Sequence, residues 1–137
     1  MAVSRSTHDL IGGRYRLDGA IASGGMADVW RATDMQLGRE VAVKLLRASV
    51  ADDKTVAERF RREARSLARL THPNIVPVYD CVEEADGQVA LVMRLIRGKS
   101  LRDLLDEAGD ERGPGQISAY LTVHIGKCVS AALAKAH

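Results

Sequence analysis

The stretch Ile21–Lys44 reads IASGGMADVWRATDMQLGREVAVK, and it predicts two short strands joined by a glycine turn, followed by a third strand that ends in a lysine. The paired Gly24 and Gly25 permit positive φ and let the backbone come close to a ligand, because no Cβ stands in the way. Side chains alternate along the third strand, so Ala42 and Lys44 share one face. A lysine facing a glycine turn suits phosphate, because backbone N–H groups cover the anion and the ammonium supplies a point charge.

A helix is predicted over residues 53–70, where four apolar side chains recur at helical spacing: Val56, Phe60, Leu67 and Leu70. At about 100° per residue, Glu63 falls in the middle of that apolar stripe. A carboxylate that faces a core without a cation costs roughly several kcal/mol, so the fold should offer it a partner. We expect that partner to be Lys44. The alternative is a Glu63 at the edge of the stripe that reaches water.

The order of these motifs resembles the amino-terminal lobe of eukaryotic-like (Hanks-type) protein kinases. The resemblance is strongest to bacterial Ser/Thr kinases and extends over about residues 11–137. The motifs that carry it are SGGMADVW, VAVKLLR, RFRREARSLARLTHPNIVPVYD and LVMRLIRGKSL. The resemblance implies an α+β fold with a five-stranded antiparallel sheet plus one helix, then two helices of an incomplete carboxy-terminal lobe. It also implies a flexible arm over residues 1–12, the amino-terminal lobe with its hinge over 13–97, and the start of the carboxy-terminal lobe over 98–137.

The five expected strands are Arg14–Ile21, Asp28–Asp34, Glu40–Arg47, Ile75–Val82 and Gln88–Ile96. The last two are joined by a segment containing Asp86-Gly87, which is a hairpin turn signature. Two further helices are expected over Leu101–Ala108 and Ile117–Ala136, and the second is apolar over much of its circumference.

Two helix starts carry capping residues. Asp52 or Asp53 is placed to cap the helix of residues 53–70, where exposed N–H groups favour an anion. Ser100, with Asp103 three residues on, matches the N-cap pattern for the helix that follows.

The resemblance implies that ATP binds this lobe. The residues implied to bind it are Ile21, Ala22, Ser23, Gly24, Gly25, Met26, Ala27, Val29, Ala42, Lys44, Glu63, Met93 and Leu95. Val29 is implied to pack on the adenine and Met93 to lie at the back of its pocket. Backbone groups of Leu95, in the hinge, are implied to pair with the adenine edge.

The glycine turn departs from the family pattern. Relatives have three glycines at fixed spacing, and those positions here hold Ala22, Gly24 and Ala27. Alanine still permits close approach, and the additional Gly25 adds flexibility. The departure weakens the expectation that the turn covers phosphate but does not remove it.

By resemblance, the function is that of a serine/threonine protein kinase, which uses ATP and magnesium to phosphorylate protein substrates. The family requires an aspartate that orients the substrate hydroxyl, and an asparagine and a second aspartate that hold magnesium. No HRD, DFG or APE tripeptide occurs in the 137 residues, so we expect these groups, including the magnesium ligands, to lie beyond His137. We therefore expect no catalytic residue in this chain, which alone should be inactive.

Two other functions compete with catalysis. The chain is alternatively a non-catalytic, pseudokinase-like module that binds nucleotide or docks on another kinase, since relatives pair through this lobe. A nucleic-acid binder would use the helix arginines Arg59, Arg61, Arg62, Arg65 and Arg69. Interleaved Glu58 and Glu63, and the lack of stacking aromatic residues, argue against nucleic acid.

Composition places the chain among globular proteins, with 46% hydrophobic and 28% charged residues and a net charge of +2. That charge is too small to indicate a nucleic-acid or membrane partner. Cys81 and Cys128 are expected to be reduced core residues. The sequence holds no membrane segment, no signal region in Met1–Leu10 and no metal-ligand pattern, so we expect a cytoplasmic protein. A longer form that carried a membrane segment would place it at the cytosolic face.

Overall fold

The chain forms one antiparallel sheet of six strands in the order β1-β2-β3-β4-β6-β5. The strands are β1 (Leu10–Ile11), β2 (Tyr15–Ser23), β3 (Ala27–Asp34), β4 (Arg39–Leu46), β5 (Val78–Glu83) and β6 (Val89–Arg94). The helices are α1 (Lys54–Ala68), α2 (Leu101–Ala108) and α3 (Ala119–Ala136). This computed structural model describes residues 6–47, 50, 53–85, 87–109 and 117–136. The α+β class is confirmed, and the expected elements are present with bounds shifted by at most three residues.

The sheet has one strand more than the five expected. Leu10 and Ile11 pair with Arg16 and Tyr15, across a turn in which both glycines have positive φ. Ile11 is fully buried. The expectation of a flexible arm is therefore wrong for these residues, while residues 1–5 lie outside the described part. A two-residue strand beside a glycine pair is too short to show periodicity, which is why the sequence pattern missed it.

The two faces of β4 carry different cores, as the alternation predicts. Val41, Val43 and Leu45 belong to one buried cluster, together with Ile11, Tyr15, Leu17, Ala32, Ala90 and Val92. Leu46 belongs to a second cluster, which lies between the opposite face of the sheet and α1 and consists of Leu46, Ala57, Phe60, Ala64, Val89 and Leu91. Each large side chain buried in these clusters stabilises the fold by roughly 1.5–3 kcal/mol. Lys44 therefore projects on the α1 side of the sheet.

The first core is enclosed because the sheet curls until β5 comes near β2, although the two strands are not neighbours in it. The hydroxyl of Tyr15 donates to Asp80 Oδ2 at 2.7 Å, and the N–H of Gly12 donates to Glu84 Oε1 at 2.5 Å. A Cβ added at Gly12 would lie 2.6 Å from Val82 Cγ1, so glycine is required there by space as well as by φ.

Helix α1 begins where the sequence predicts. Asp53 is its N-cap, and its carboxylate accepts a hydrogen bond from the N–H of Thr55 at 2.8 Å. Ala57, Phe60 and Ala64 form its buried face. The alternative cap, Asp52, lies outside the described residues.

The turn between β5 and β6 includes Gly87 at a φ of 81°, and the predicted hairpin is confirmed. Asp86 of the predicted turn lies outside the described residues. Cys81 is exposed on edge strand β5 and Cys128 is half-buried on α3; both thiols are free. The expectation that Cys81 is a core residue is wrong, because it lies on the strand at the edge of the sheet and its side chain is exposed.

By its internal contacts the chain divides into two compact units, residues 1–71 with 76–95, and residues 72–75 with 96–137. In the second unit Ser100 and Asp103 form the expected capping box at the start of α2. Asn74 Nδ2 donates to the carbonyl of Cys128 at 3.1 Å, which ties the 72–75 segment to α3. Among the described helices, none is long and apolar enough to cross a membrane.

Candidate functional site

The glycine turn, residues 24–26, connects β2 to β3 and closes their hairpin. The N–H of Gly24 donates to the carbonyl of Ala27 at 3.0 Å. Contrary to the prediction, neither Gly24 nor Gly25 takes a positive φ. A Cβ at Gly24 would lie 3.3 Å from that carbonyl, whereas a Cβ at Gly25 would meet open space. What the glycines offer is thus an approach free of side chains rather than an unusual conformation.

Lys44 lies near the end of β4, level with Val29 of β3 and Leu91 of β6. Its Nζ is 3.9 Å from Oε1 of Glu63 and 5.5 Å from the centre of the Phe60 ring. The predicted partnership of Lys44 with Glu63 is confirmed at this distance. Its ammonium is held between a carboxylate and an aromatic face.

The predicted burial of Glu63 is wrong, because its side chain is 60% exposed. The buried face of α1 is centred on Phe60 and Ala64, and at about 100° per residue Glu63 falls at the edge of that face. An exposed ion pair of this kind contributes about 0–1 kcal/mol to folding. The ion pair therefore matters for the position of the Lys44 ammonium rather than for stability. Because the pair is exposed to solvent, the ammonium keeps its charge available for a ligand.

A cavity of about 220 Å³ lies between the glycine turn, β4 and α1. Its lining residues are Met26, Ala27, Lys44, Leu46, Val56, Arg59, Phe60 and Glu63. Two cations and one carboxylate edge an otherwise apolar wall. The arrangement matches an anion that brings an apolar or polarisable part with it, such as a phosphate ester.

The residues expected to hold adenine lie along the same face of the sheet. Ala42 is level with Met93 in the β4–β6 pairing, and Val29 is level with Lys44. Ala42 is buried, and Met93 is half-buried against the cluster under α1. Leu95 directly follows β6 and is half-buried. The fold thus places Lys44, expected to bind phosphate, on the same face of the sheet as Val29, Ala42 and Met93, expected to contact adenine.

The remaining predicted residues lie at the end of β2, in the turn and at the start of β3. Those from Ile21 to Met26 are all exposed, whereas Ala27 is half-buried. Ser23 differs from the prediction in one respect. Its hydroxyl donates to Asp28 Oδ1 at 2.6 Å, so it is engaged within the protein.

Sequence reasoning missed two arginines at this site. Arg59 lines the cavity beside Lys44, although the pattern had placed it only on a basic helix face. Arg47 Nε donates to Asp28 Oδ1 at 3.0 Å. Hydrogen bonds from Ser23 and then from Arg47 lower the pKa of Asp28. The available signal was the position of Arg47 directly after the VAVKLL strand, level with the glycine turn.

The sequence matches the protein kinase domain family over residues 15–137. A probable serine/threonine-protein kinase of Corynebacterium efficiens, CE0033, is 44% identical over 87% of this chain and 18% of that protein. The serine/threonine-protein kinase PknA of Mycobacterium tuberculosis is 47% identical over 72% of this chain and 24% of that protein. The chain therefore spans a quarter or less of the length of these relatives.

The fold agrees with the sequence match. The crystal structure of the M. tuberculosis PknI kinase domain superposes with a TM-score of 0.81 at 26% identity, covering 98% of this chain and 51% of that one. The lysine–glutamate pair, the glycine turn and the sheet that supports them occur together with a family match over nearly the whole sequence. This chain belongs to the protein kinase domain family.

Proposed function

We propose that this chain is the ATP-binding lobe of a serine/threonine protein kinase, which transfers the γ-phosphoryl group of ATP to a hydroxyl of a protein substrate. The observation that carries the proposal is the approach of Lys44 Nζ to Glu63 Oε1, 3.9 Å apart, at a cavity edged by the glycine turn. The serine/threonine names of the relatives support the choice of acceptor.

In this proposal the ammonium of Lys44 binds phosphate oxygens and Glu63 fixes where that ammonium sits. The N–H groups of Gly25 and Met26 cover the same anion, because that of Gly24 is already bonded to the carbonyl of Ala27. Arg59, at the cavity wall, adds a second cation. Each of these groups acts by placing positive charge where the phosphates lie, which is the main contribution a protein makes to phosphoryl transfer.

The adenine is proposed to lie against Val29, Ala42 and Met93, which present apolar surface on one face of the sheet. Backbone groups of Leu95 are proposed to pair with the adenine edge. Met93 serves the core as well, because it packs against the cluster under α1.

Magnesium is used with ATP throughout the family. The described residues contain no group of three His, Cys, Asp or Glu side chains that would hold a metal ion. Among the described residues we therefore assign none to magnesium. The sequence also lacks the HRD and DFG motifs, so we propose that these 137 residues bind Mg-ATP but do not transfer its phosphate by themselves.

The test is calorimetric titration of Mg-ATP into the 137-residue chain. We expect Lys44→Met to weaken binding by about tenfold or more, since it removes a charged partner of the phosphates. Lys54→Met is the matched control, because it removes a lysine from the exposed start of α1 and should leave affinity unchanged. Equal affinities for the Lys44→Met and unsubstituted chains would refute the proposal.

A second candidate is a docking module that binds the same lobe of another kinase chain. The observation that favours it is the β3–β4 turn, where Met35 and Leu37 are 52% and 58% exposed. The two candidates are compatible, since this turn and the cavity lie at opposite ends of β4. We infer a cytoplasmic location for either role, with protein partners and no nucleic acid.

A further inference from the structure

The side chain of Arg47 joins three strand ends at the base of the glycine turn. Its Nε donates to Asp28 Oδ1 at 3.0 Å, and its Nη2 donates to Ser23 Oγ. Ser23 Oγ donates in turn to the same oxygen of Asp28 at 2.6 Å. Ser23 ends β2, Asp28 is the second residue of β3, and Arg47 directly follows β4. We call this trio of side chains the turn latch.

The main chain adds to the turn latch. The N–H of Arg47 donates to the carbonyl of Met26, at the tip of the turn, at 2.9 Å. Within the turn, one backbone bond joins the N–H of Gly24 to the carbonyl of Ala27. A glycine pair loses much conformational entropy when it is ordered, and it has no side chains of its own to hold it. Bonds from β4 are therefore needed to fix where the turn sits.

The turn latch lies on the side of the sheet away from the cavity. Asp28 is level with Leu45, whose side chain belongs to the first core, whereas Val29 is level with Lys44. Because side chains alternate along a strand, the latch and the ammonium of Lys44 are on opposite faces. Arg47 is thus placed to act on the turn without touching a bound phosphate.

We propose that Arg47, through Asp28 and Ser23, is a positioning residue that holds the glycine turn over the phosphates of the nucleotide. The role in binding rests on the proposed function, but the ordering of the turn does not require nucleotide. Ala22 and Ala27 replace two family glycines and restrict the backbone. The latch then sets which of the remaining conformations the turn adopts.

The first experiment measures amide hydrogen exchange of the turn by mass spectrometry, without nucleotide. We expect Arg47→Met to speed exchange in a peptide spanning residues 22–28 by about fivefold or more, because it removes hydrogen bonds to a carboxylate. The N–H of residue 47 is retained in this variant, so the measurement isolates the side chain. Arg62→Met, on the exposed face of α1, is the matched control and should not change exchange there.

Further variants separate the turn latch from a general loss of stability. Asp28→Asn should speed exchange of the same peptide, and combining it with Arg47→Met should add little, because both remove one interaction. Arg47→Lys should restore part of the protection, since one ammonium reaches only one partner. Exchange in β4 and β6 should stay unchanged in all of them.

The second experiment compares ligands. Arg47→Met should weaken Mg-ATP binding about fivefold and leave adenosine binding unchanged, because only the phosphates lie under the turn. Lys44→Met should weaken Mg-ATP binding without altering exchange of the turn. If the unsubstituted chain binds no Mg-ATP, the proposed function fails while the exchange result still decides the latch. Unchanged exchange in both Arg47→Met and Asp28→Asn would overturn the inference.

Discussion

Asp34 shows at the scale of one residue how this lobe is held together. Its carboxylate is fully buried and accepts hydrogen bonds from Arg14 Nε and Nη2, both at 2.8 Å. It also accepts from the N–H groups of Gln36 and Leu37, at 3.1 and 3.2 Å. A buried carboxylate with this many donors is strongly favoured in its ionised form. The hydrogen bonds from Arg14, ahead of those from the backbone, lower the pKa of Asp34 to about 2.

We predict that Asp34→Asn destabilises the chain by about 2 kcal/mol at neutral pH, because the amide loses the two-point contact with the guanidinium. Folding lowers the pKa of Asp34 from its ordinary value of 3.8, so the contribution is fully present above that value. It should be lost as pH falls toward 2. Urea unfolding at several pH values measures this, and the gap between the two proteins should narrow in acid.

The matched control is Asp53→Asn, which makes the same chemical change at the N-cap of α1. Asparagine caps a helix as well as aspartate does, so its stability should change by less than about 0.5 kcal/mol. The prediction fails if the difference in unfolding free energy between Asp34→Asn and the unsubstituted chain stays constant down to pH 2. That result would show that the ion pair is not the source of the difference.

Strand β1 is the element whose contribution is least evident from its length. Ile11 is 0% exposed and sits in the first core, whereas its neighbour Leu10 is 49% exposed. We predict that Ile11→Ala costs about 2–4 kcal/mol of unfolding free energy, since it leaves a cavity in a closed cluster. Leu10→Ala is the matched control and should cost less than about 1 kcal/mol. Equal small losses in urea unfolding would mean that β1 does not cover the core.

Elements with strong periodicity or end signals were predictable from sequence. Alternation in β4 gave the face of Lys44, and Ser100 with Asp103 gave the start of α2. The features that escaped prediction depend on residues far apart in the chain. Ile11 is buried because the sheet curls, and Glu63 is exposed because two small residues, Ala57 and Ala64, shift the contact face of α1. Local sequence patterns do not report these features, because both depend on tertiary packing.

The turn latch escaped prediction for the same reason. Asp28 and Arg47 are separated by most of β3 and all of β4, and only the register of the hairpin brings them together. The lysine–glutamate pair spans a similar separation, and it was predicted because Glu63 falls within the apolar stripe of the helical pattern, where a carboxylate requires a cation. Local sequence patterns thus identified Lys44 and Glu63, but they did not indicate the contact between Arg47 and Asp28.

At the scale of the whole molecule, the distribution of apolar surface governs association. Helix α3 has no buried residue among its described positions, and Val129 and Leu133 are 50% and 53% exposed one turn apart. Exposed apolar surface of this kind promotes contact between chains. The β3–β4 turn offers a smaller apolar patch with Leu37 at its centre.

We predict that the chain associates as its concentration rises, mainly through α3. In sedimentation velocity, Val129→Lys with Leu133→Lys should shift the distribution strongly toward monomer, because two charges would have to be desolvated at the contact. Any remaining dimer should disappear on adding Leu37→Asp, as the docking proposal requires. A dimer that persists in the double lysine variant, and also after Leu37→Asp is added, would exclude both α3 and the β3–β4 turn as the contact. A dimer that is lost in the Leu37→Asp single variant would assign the association to the turn rather than to α3.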